Sequence, residues 1–224
     1  MHVLHYWPGY CSLATHIVLR WIGVEFELVK AGLTRRQSIE FQALNPSSTV
    51  PVLVTDEGWT LSQNVAILNY LADRYPQVHL NGDDSLRGRA EVNRWLGYIN
   101  SDVHKAFSPL MHPERIIGGE TVAAATLSAA REALRRHFNI LDQALSRSLW
   151  IAGDDRSIAD PYLFVLTRWA LATGVEIADL STLAQHYQRM RADPGVVAAL
   201  AAEQLKDSKL AAWPDAADST SDAK

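Results

Sequence analysis

Along the first third of the chain the apolar positions switch repeatedly between a period of two and a period near 3.6. Val3 and Leu4 through Tyr6 form a short apolar run that Pro8-Gly9 stops, which predicts a strand. Ser12 to Ile22 then sets Leu13, Ile17 and Trp21 on one helical face, with Gly23 where a helix would end. Phe26, Leu28 and Lys30 alternate with Glu27 and Val29 as a second strand, and a short helix is expected from about Arg36 to Leu44. The turn cluster Asn45-Pro46-Ser47-Ser48-Thr49 leads into a strand from Val50 to Val54, which Asp56-Glu57-Gly58 joins to Trp59-Thr60-Leu61 as a hairpin. Asn64 to Tyr75 carries Val65, Leu68, Leu71 and Ala72 at helical spacing. This order predicts a layered α/β unit with two parallel strands joined by a right-handed helical crossover and an antiparallel edge hairpin.

Beyond residue 87 the pattern is helical throughout. Val92, Trp95, Leu96, Ile99 and Val103 line one helix; Leu127, Ala130, Leu134, Phe138, Leu141 and Leu145 line another, as in an antiparallel bundle. Ser157-Ile158-Ala159-Asp160 reads as a capping box, the serine oxygen accepting the amide of Asp160 while the acid reaches back, ahead of a helix with Tyr162, Leu163, Leu166 and Trp169 in its core face. Trp150 to Asp154 enters that helix through a turn. The organisation expected is an α/β domain over 1–78, a linker over 79–86 containing Asn81-Gly82-Asp83-Asp84, an all-α domain over 87–205 and a mobile tail over 206–224.

Composition narrows the function. The chain has 224 residues, 48% of them hydrophobic and 21% charged, which is globular and large enough for a sizeable core. A net charge of −4 gives no cationic field for nucleic acid, and no run of 18 apolar residues suggests a membrane span. The start, MHVLHYWPGY, lacks the charged and apolar regions of a signal peptide, so a cytoplasmic protein is expected. The eight histidines are scattered without helical ligand spacing, so no metal is expected. A single cysteine, Cys11, excludes an intrachain disulfide framework.

Cys11 falls just before the predicted helix start at Ser12, where amide groups and the helix dipole would favour a thiolate; a small buried core cysteine is the alternative. Ser12-Leu13-Ala14 follows it, so no second cysteine completes a Cys-x-x-Cys pair, and a mixed disulfide on Cys11 would need an external thiol. Val50-Pro51 opens a strand, where a cis bond would present the Val50 amide and carbonyl to an extended peptide; an ordinary turn proline is the alternative. Gln63-Asn64 precedes a helix, with Asn64 suited to the N-cap and the helix start to a carboxylate, or to capping alone.

These segments in this order resemble the cytosolic glutathione transferases. PGYCSLATHIVLRWIG is similar to the cysteine-bearing first helix of the bacterial beta class, NPSSTVPVL to the family's Asn-Pro and Val-Pro segment, and LSQNVAILNYLADRYP to its glutathione-binding helix. SDVHKAFSPLM resembles the stretch carrying the class's His-Lys pair, and GDDRSIADPYLF its capping-box segment. The resemblance implies a thioredoxin-like N-terminal domain followed by an all-α domain, with glutathione as co-substrate in a homodimer. It places Cys11 beside the glutathione sulfur, Val50 against the tripeptide backbone with Pro51 cis, Gln63 and Asn64 at the γ-glutamyl end, and His104 and Lys105 near the thiol and the glycyl end. Arg35 or Arg36 would meet the glycyl carboxylate. Tyr6 and Ser12 fall near the positions of activating hydroxyls in other classes; beside Cys11, Tyr6 ranks as core and Ser12 as a cap or a further thiol contact. Two positions depart from the pattern: Asn64 replaces a serine, and Gly97 stands where some beta-class members have an asparagine.

The expected activity is conjugation of the glutathione thiolate to a small hydrophobic electrophile, held by Tyr10, Phe107, Leu110 and Met111. Thiol-disulfide exchange through Cys11, or a non-catalytic binding role on the same fold, are the alternatives.

Overall fold

Residues 1–83, 85–112 and 124–205 are described in the computed structural model of the protein; the tail expected over 206–224 lies outside them. Among the described residues, four strands form one sheet in the order β2-β1-β3-β4. Strand β1 (His2–Tyr6) leads to helix α1 (Ser12–Ile22) and then to β2 (Phe26–Lys30), which pairs with β1 in parallel. Gly23 ends α1 in the left-handed conformation, at φ 77, as its position after the last periodic residue predicts. Strands β3 (Val52–Val54) and β4 (Thr60–Ser62) form the antiparallel hairpin. The register aligns Leu28, Leu4, Leu53 and Leu61 in one row across the sheet. That row belongs to the main core with Leu13 and Ile17 of α1, while Val52 on the other face packs with Ala31, Val50 and Phe41.

The helix expected from Arg36 to Leu44 is two helices, α2 (Leu33–Arg36) and α3 (Ile39–Leu44). The break has a local cause: the Ser38 hydroxyl caps α3 by accepting the Phe41 amide at 3.3 Å. Ahead of α2, Gly32 lies under the Trp7 ring, and a Cβ there would fall 2.9 Å from Cζ3. Strand β3 begins at Val52 rather than Val50, because Pro51 has no amide proton for a ladder.

Helix α4 (Asn64–Arg74) completes the α/β unit. The rest is helical: α5 (Leu86–Tyr98), a π-helical turn over Ile99–His104, α6 (Ser108–Met111), α7 (Ala124–Leu145), α8 (Ala159–Thr173), α9 (Ser181–Ala192) and α10 (Pro194–Ala202). Of the predicted core positions on α7, Leu127 is only half-buried, near the helix start. Helix α8 is buried at every residue from Ala159 to Ala170, as a central helix packed on all sides must be.

The capping box forms with a changed bond pattern. The Ser157 hydroxyl accepts from the Ala159 amide at 3.2 Å rather than from Asp160, and donates to the Asp160 carboxylate at 2.9 Å. That carboxylate also accepts the Ser157 amide at 2.7 Å, the Ile151 amide at 3.0 Å and His186 Nε2 at 3.0 Å. After α10, Glu203 turns back to the start of the chain, accepting the Gly9 amide at 2.9 Å and meeting His16 Nδ1 at 2.9 Å. The loop before α1 is thereby tied to the last helix.

Candidate functional site

A cleft of about 650 Å³ separates the sheet-side loops from α6, α8 and the π-helical turn. A groove of about 660 Å³ elsewhere is lined by surface charges such as Arg87, Arg94, Arg147 and Asp155. The first cleft brings together the Cys11 thiol, two histidines and a set of aromatic side chains, which makes it the candidate site.

Cys11 occupies the N-cap position of α1 with helical backbone angles, φ −57 and ψ −22. The turn that delivers it needs Gly9 at φ 73, a left-handed conformation that side chains resist. Trp169 Nε1 donates to the Gly9 carbonyl at 2.8 Å, fixing the loop from the α8 side. The sulfur is buried and donates to the Val50 carbonyl at 3.6 Å. Burial pushes the Cys11 thiol up to about 12; the Cys11 and Ser12 amides act in the opposite direction and lose. Of the two readings of Cys11, burial favours the neutral buried thiol over the thiolate, because desolvation of a charged sulfur outweighs two backbone dipoles.

The Val50-Pro51 peptide bond is cis, and both residues line the cleft with Ser47 and Thr49. Gln63, not Asn64, is the N-cap of α4, at φ 72 in the left-handed region, where a non-glycine residue costs about 1–3 kcal/mol and often marks a ligand site. Asn64 is the first helical residue. Its Oδ1 accepts the Thr15 hydroxyl at 2.8 Å, bonding α4 to α1, and its buried Nδ2 makes no hydrogen bond of full geometry.

Of the two arginines on α2, Arg36 lines the cleft and Arg35 does not. The Arg36 Nε is buried without a hydrogen-bond partner, a cation left available for an anion. Tyr6 is a core residue packed against His16, its phenol raised by burial and then by Glu203. Ser12 is fully buried, its hydroxyl bonded within the β1–α1 loop to the backbone of Trp7. Leu110 packs toward the core. Tyr6, Ser12, Arg35 and Leu110 are therefore absent from the lining, while Tyr10, Phe107 and Met111 belong to it.

His104 and Lys105 stand at the end of the π-helical turn, both in the lining. The His104 ring is edge-on to Tyr162 and Trp169, with centroid separations of 5.9 and 4.9 Å. Burial, with a smaller contribution from His112, lowers its pKa to about 4, so the ring is neutral at pH 7. Its Nδ1 lies 2.6 Å from the Tyr162 hydroxyl, which donates in turn to Asn100 Oδ1 at 3.0 Å.

Tyr162, Trp169 and Asn100 are cleft residues that the sequence analysis assigned to core or left unassigned. A signal for the first two existed. They stand seven residues apart on one helical face, and buried phenol and indole groups need hydrogen-bond partners that an aliphatic core cannot supply. Among the described residues no group of three histidine, cysteine or acidic side chains could hold a metal ion, and no helix is long and apolar enough to cross a membrane.

Two family models match the chain. The family model for the N-terminal domain of glutathione S-transferase matches residues 10–74, and that for the C-terminal domain matches residues 98–194. Glutathione S-transferase GST-4.5 of Xanthomonas campestris pv. campestris is 44% identical over 198 residues, 88% of this chain and 97% of its own. A sphingomonad glutathione S-transferase solved in complex with glutathione superposes with a TM-score of 0.81 at 36% identity, covering 91% of this chain and 100% of its own. The beta class glutathione S-transferase of Sphingomonas chungbukensis gives 0.81 at 37% identity, with the same coverage of 91% and 100%.

Proposed function

The chain belongs to the glutathione S-transferase family and is an enzyme of it, and we propose that its cleft activates the glutathione thiol for transfer to a small apolar electrophile. The observation that carries this reading is the asymmetry of the walls. One wall offers helix-start amides at Gln63, a backbone edge at Val50 and the unpartnered Arg36, as a tripeptide with two carboxylates requires. The other is aromatic and apolar, with Phe107, Met111 and Trp169, and suits an electrophile recognised by shape and burial.

In this reading Gln63 and the start of α4 hold the γ-glutamyl carboxylate, Val50 pairs with the cysteinyl backbone, and Arg36 holds the glycyl carboxylate with Lys105 nearby. The thiol then lies between Cys11 and His104. Sulfur attack on an electrophilic carbon follows, with the apolar wall excluding water. Disulfide exchange is the second reading. Cys11 would attack a glutathione mixed disulfide, release the substrate thiol and be freed by a second glutathione as oxidised glutathione. The buried, neutral Cys11 thiol favours conjugation over this route. A cytoplasmic homodimer in detoxification completes the reading.

Retention on immobilised glutathione and a gain in Tm at millimolar glutathione are the expected results, and absence of both overturns the reading. Cys11→Ser, assayed on a chloroaromatic and on a glutathione mixed disulfide, separates the two chemistries. Loss of exchange alone supports conjugation without Cys11 as nucleophile, whereas loss of both makes Cys11 essential to each. Light scattering reads the subunit number directly.

A further inference from the structure

The hydroxyl of Tyr162 sits at the junction of a polar chain inside an otherwise apolar wall. Tyr162 is fully buried on α8, and its single hydroxyl proton is donated to Asn100 Oδ1 at 3.0 Å. A hydroxyl that has spent its proton can meet His104 Nδ1 at 2.6 Å only as an acceptor, so Nδ1 must carry the hydrogen. A neutral imidazole has one N–H, which leaves Nε2 as a bare lone pair. Among the described residues Nε2 has no hydrogen-bond partner, and His104 lines the cleft.

The backbone explains how the two polar side chains reach one hydroxyl. Asn100 and His104 both lie in the π-helical turn Ile99–His104, where wider i→i+5 hydrogen bonding changes the stacking of residues four apart. Gly97, one turn earlier, has open space where a Cβ would be. Asn100, within the turn itself, is directed at the Tyr162 hydroxyl. Burial makes ionisation of the Tyr162 hydroxyl harder, Cys11 adds to this, and Asn64 acts in the opposite direction. The phenol is held neutral, so it transmits orientation and not charge.

We propose that Tyr162 and Asn100 are positioning residues that lock His104 in the Nδ1–H tautomer, presenting Nε2 to the bound thiol as a proton acceptor. The inference rests on the reading of the cleft as a glutathione site. The S–H proton passes first to Nε2, and the electron pair of the resulting thiolate then forms the bond to carbon. With a chloroaromatic substrate, chloride leaves with the carbon–chlorine pair. The neighbouring thiolate favours the imidazolium while the pair lasts, and the proton then returns to water. A ring with the opposite tautomer would offer the thiol a donor and could not take its proton.

The test is the tautomer, read from long-range proton–nitrogen spectra of histidine-labelled protein at pH 7. Wild type is expected to show His104 protonated at Nδ1. Asn100→Leu frees the Tyr162 proton to turn to Nδ1, so the ring should switch to Nε2–H. Tyr162→Phe, which removes one atom, should lose the Nδ1–H preference. Both variants should lower kcat for chloroaromatic conjugation at least tenfold, with KM for glutathione changed less than about twofold. A wild-type ring protonated at Nε2 overturns the proposal whatever the activity. So does an unchanged tautomer or an unchanged kcat in both variants. If the chain binds no glutathione, the reading of the cleft fails, and the spectra still decide whether the lock exists.

Discussion

The Cys11 sulfur donates to the carbonyl of Val50 at 3.6 Å, joining the start of α1 to the cis Val50-Pro51 segment. The carbonyl end of a residue assigned to peptide recognition is thus occupied by the protein's own thiol. Burial holds that thiol near 12, so roughly one sulfur in 10⁵ is ionised at pH 7. Alkylation of Cys11 by iodoacetamide in the ligand-free protein should be at least about a hundredfold slower than that of an unfolded control, and should still be rising at pH 9. Mass-spectrometric labelling rates read this; a plateau near neutral pH would contradict a buried neutral thiol.

Arg36 and Arg35 are neighbours in sequence with different surroundings. Arg36 lines the cleft with its Nε buried and unpartnered, whereas Arg35 is absent from the lining. Arg36→Gln should weaken glutathione binding by about 1.5–3 kcal/mol, the range for a hydrogen bond to a charged group. Arg35→Gln should leave the affinity within about twofold. Calorimetric titration of the two variants distinguishes them, and equal losses would remove Arg36 from the site.

His104 makes stability depend on pH. Its folded pKa, about 4, lies below the ordinary 6.5 because burial disfavours the cation. Between those values the unfolded chain binds more protons than the folded one, so stability is complete above pH 6.5 and is lost as pH falls toward 4. The full difference is about 3 kcal/mol. His2 and His5, also lowered mainly by burial, contribute with the same sign. Asp179, held at about 2 beside Arg135, places its own loss at lower pH. Thermal melts at pH 7 and 5 should show the drop, and His104→Gln should reduce it; an unchanged slope would exclude His104 as a source.

Asp160 accepts from two backbone amides, the Ser157 hydroxyl and His186 while fully buried. Asp160→Ala leaves those donors without an acceptor inside the core, at a cost of about 3–5 kcal/mol. For a chain of this size that is a fall in Tm on the order of 10 °C. Differential scanning calorimetry tests it, and a shift under about 2 °C would mean that water or a rearranged turn satisfies the donors.

Periodicity and turn chemistry were enough to order the strands and helices of the first domain, because each depends on neighbours within a few residues. Gly23 ends α1 for that reason, and Asp56-Glu57-Gly58 reverses the hairpin. The split at Ser38 was missed although a serine cap is a local signal, since the apolar spacing across it continues. The candidate cleft was legible only in part. Cys11, Val50, Gln63 and His104 stood out by position in motifs, while Tyr162 and Trp169 read as core because their apolar rings fit a helical stripe.

The sequence by itself determined that one thiol stands at a helix start and that a histidine follows far along the chain. Only the tertiary structure decided their protonation and partners. A pKa depends on the water removed by distant segments, which decided between the thiolate and the buried neutral thiol that the position of Cys11 left open. A tautomer depends on which hydroxyl meets which ring nitrogen, and Tyr162 reaches His104 from 58 residues away. Such contacts between remote segments leave no local trace in composition or period, so the fold was readable from spacing while the chemistry required the packing.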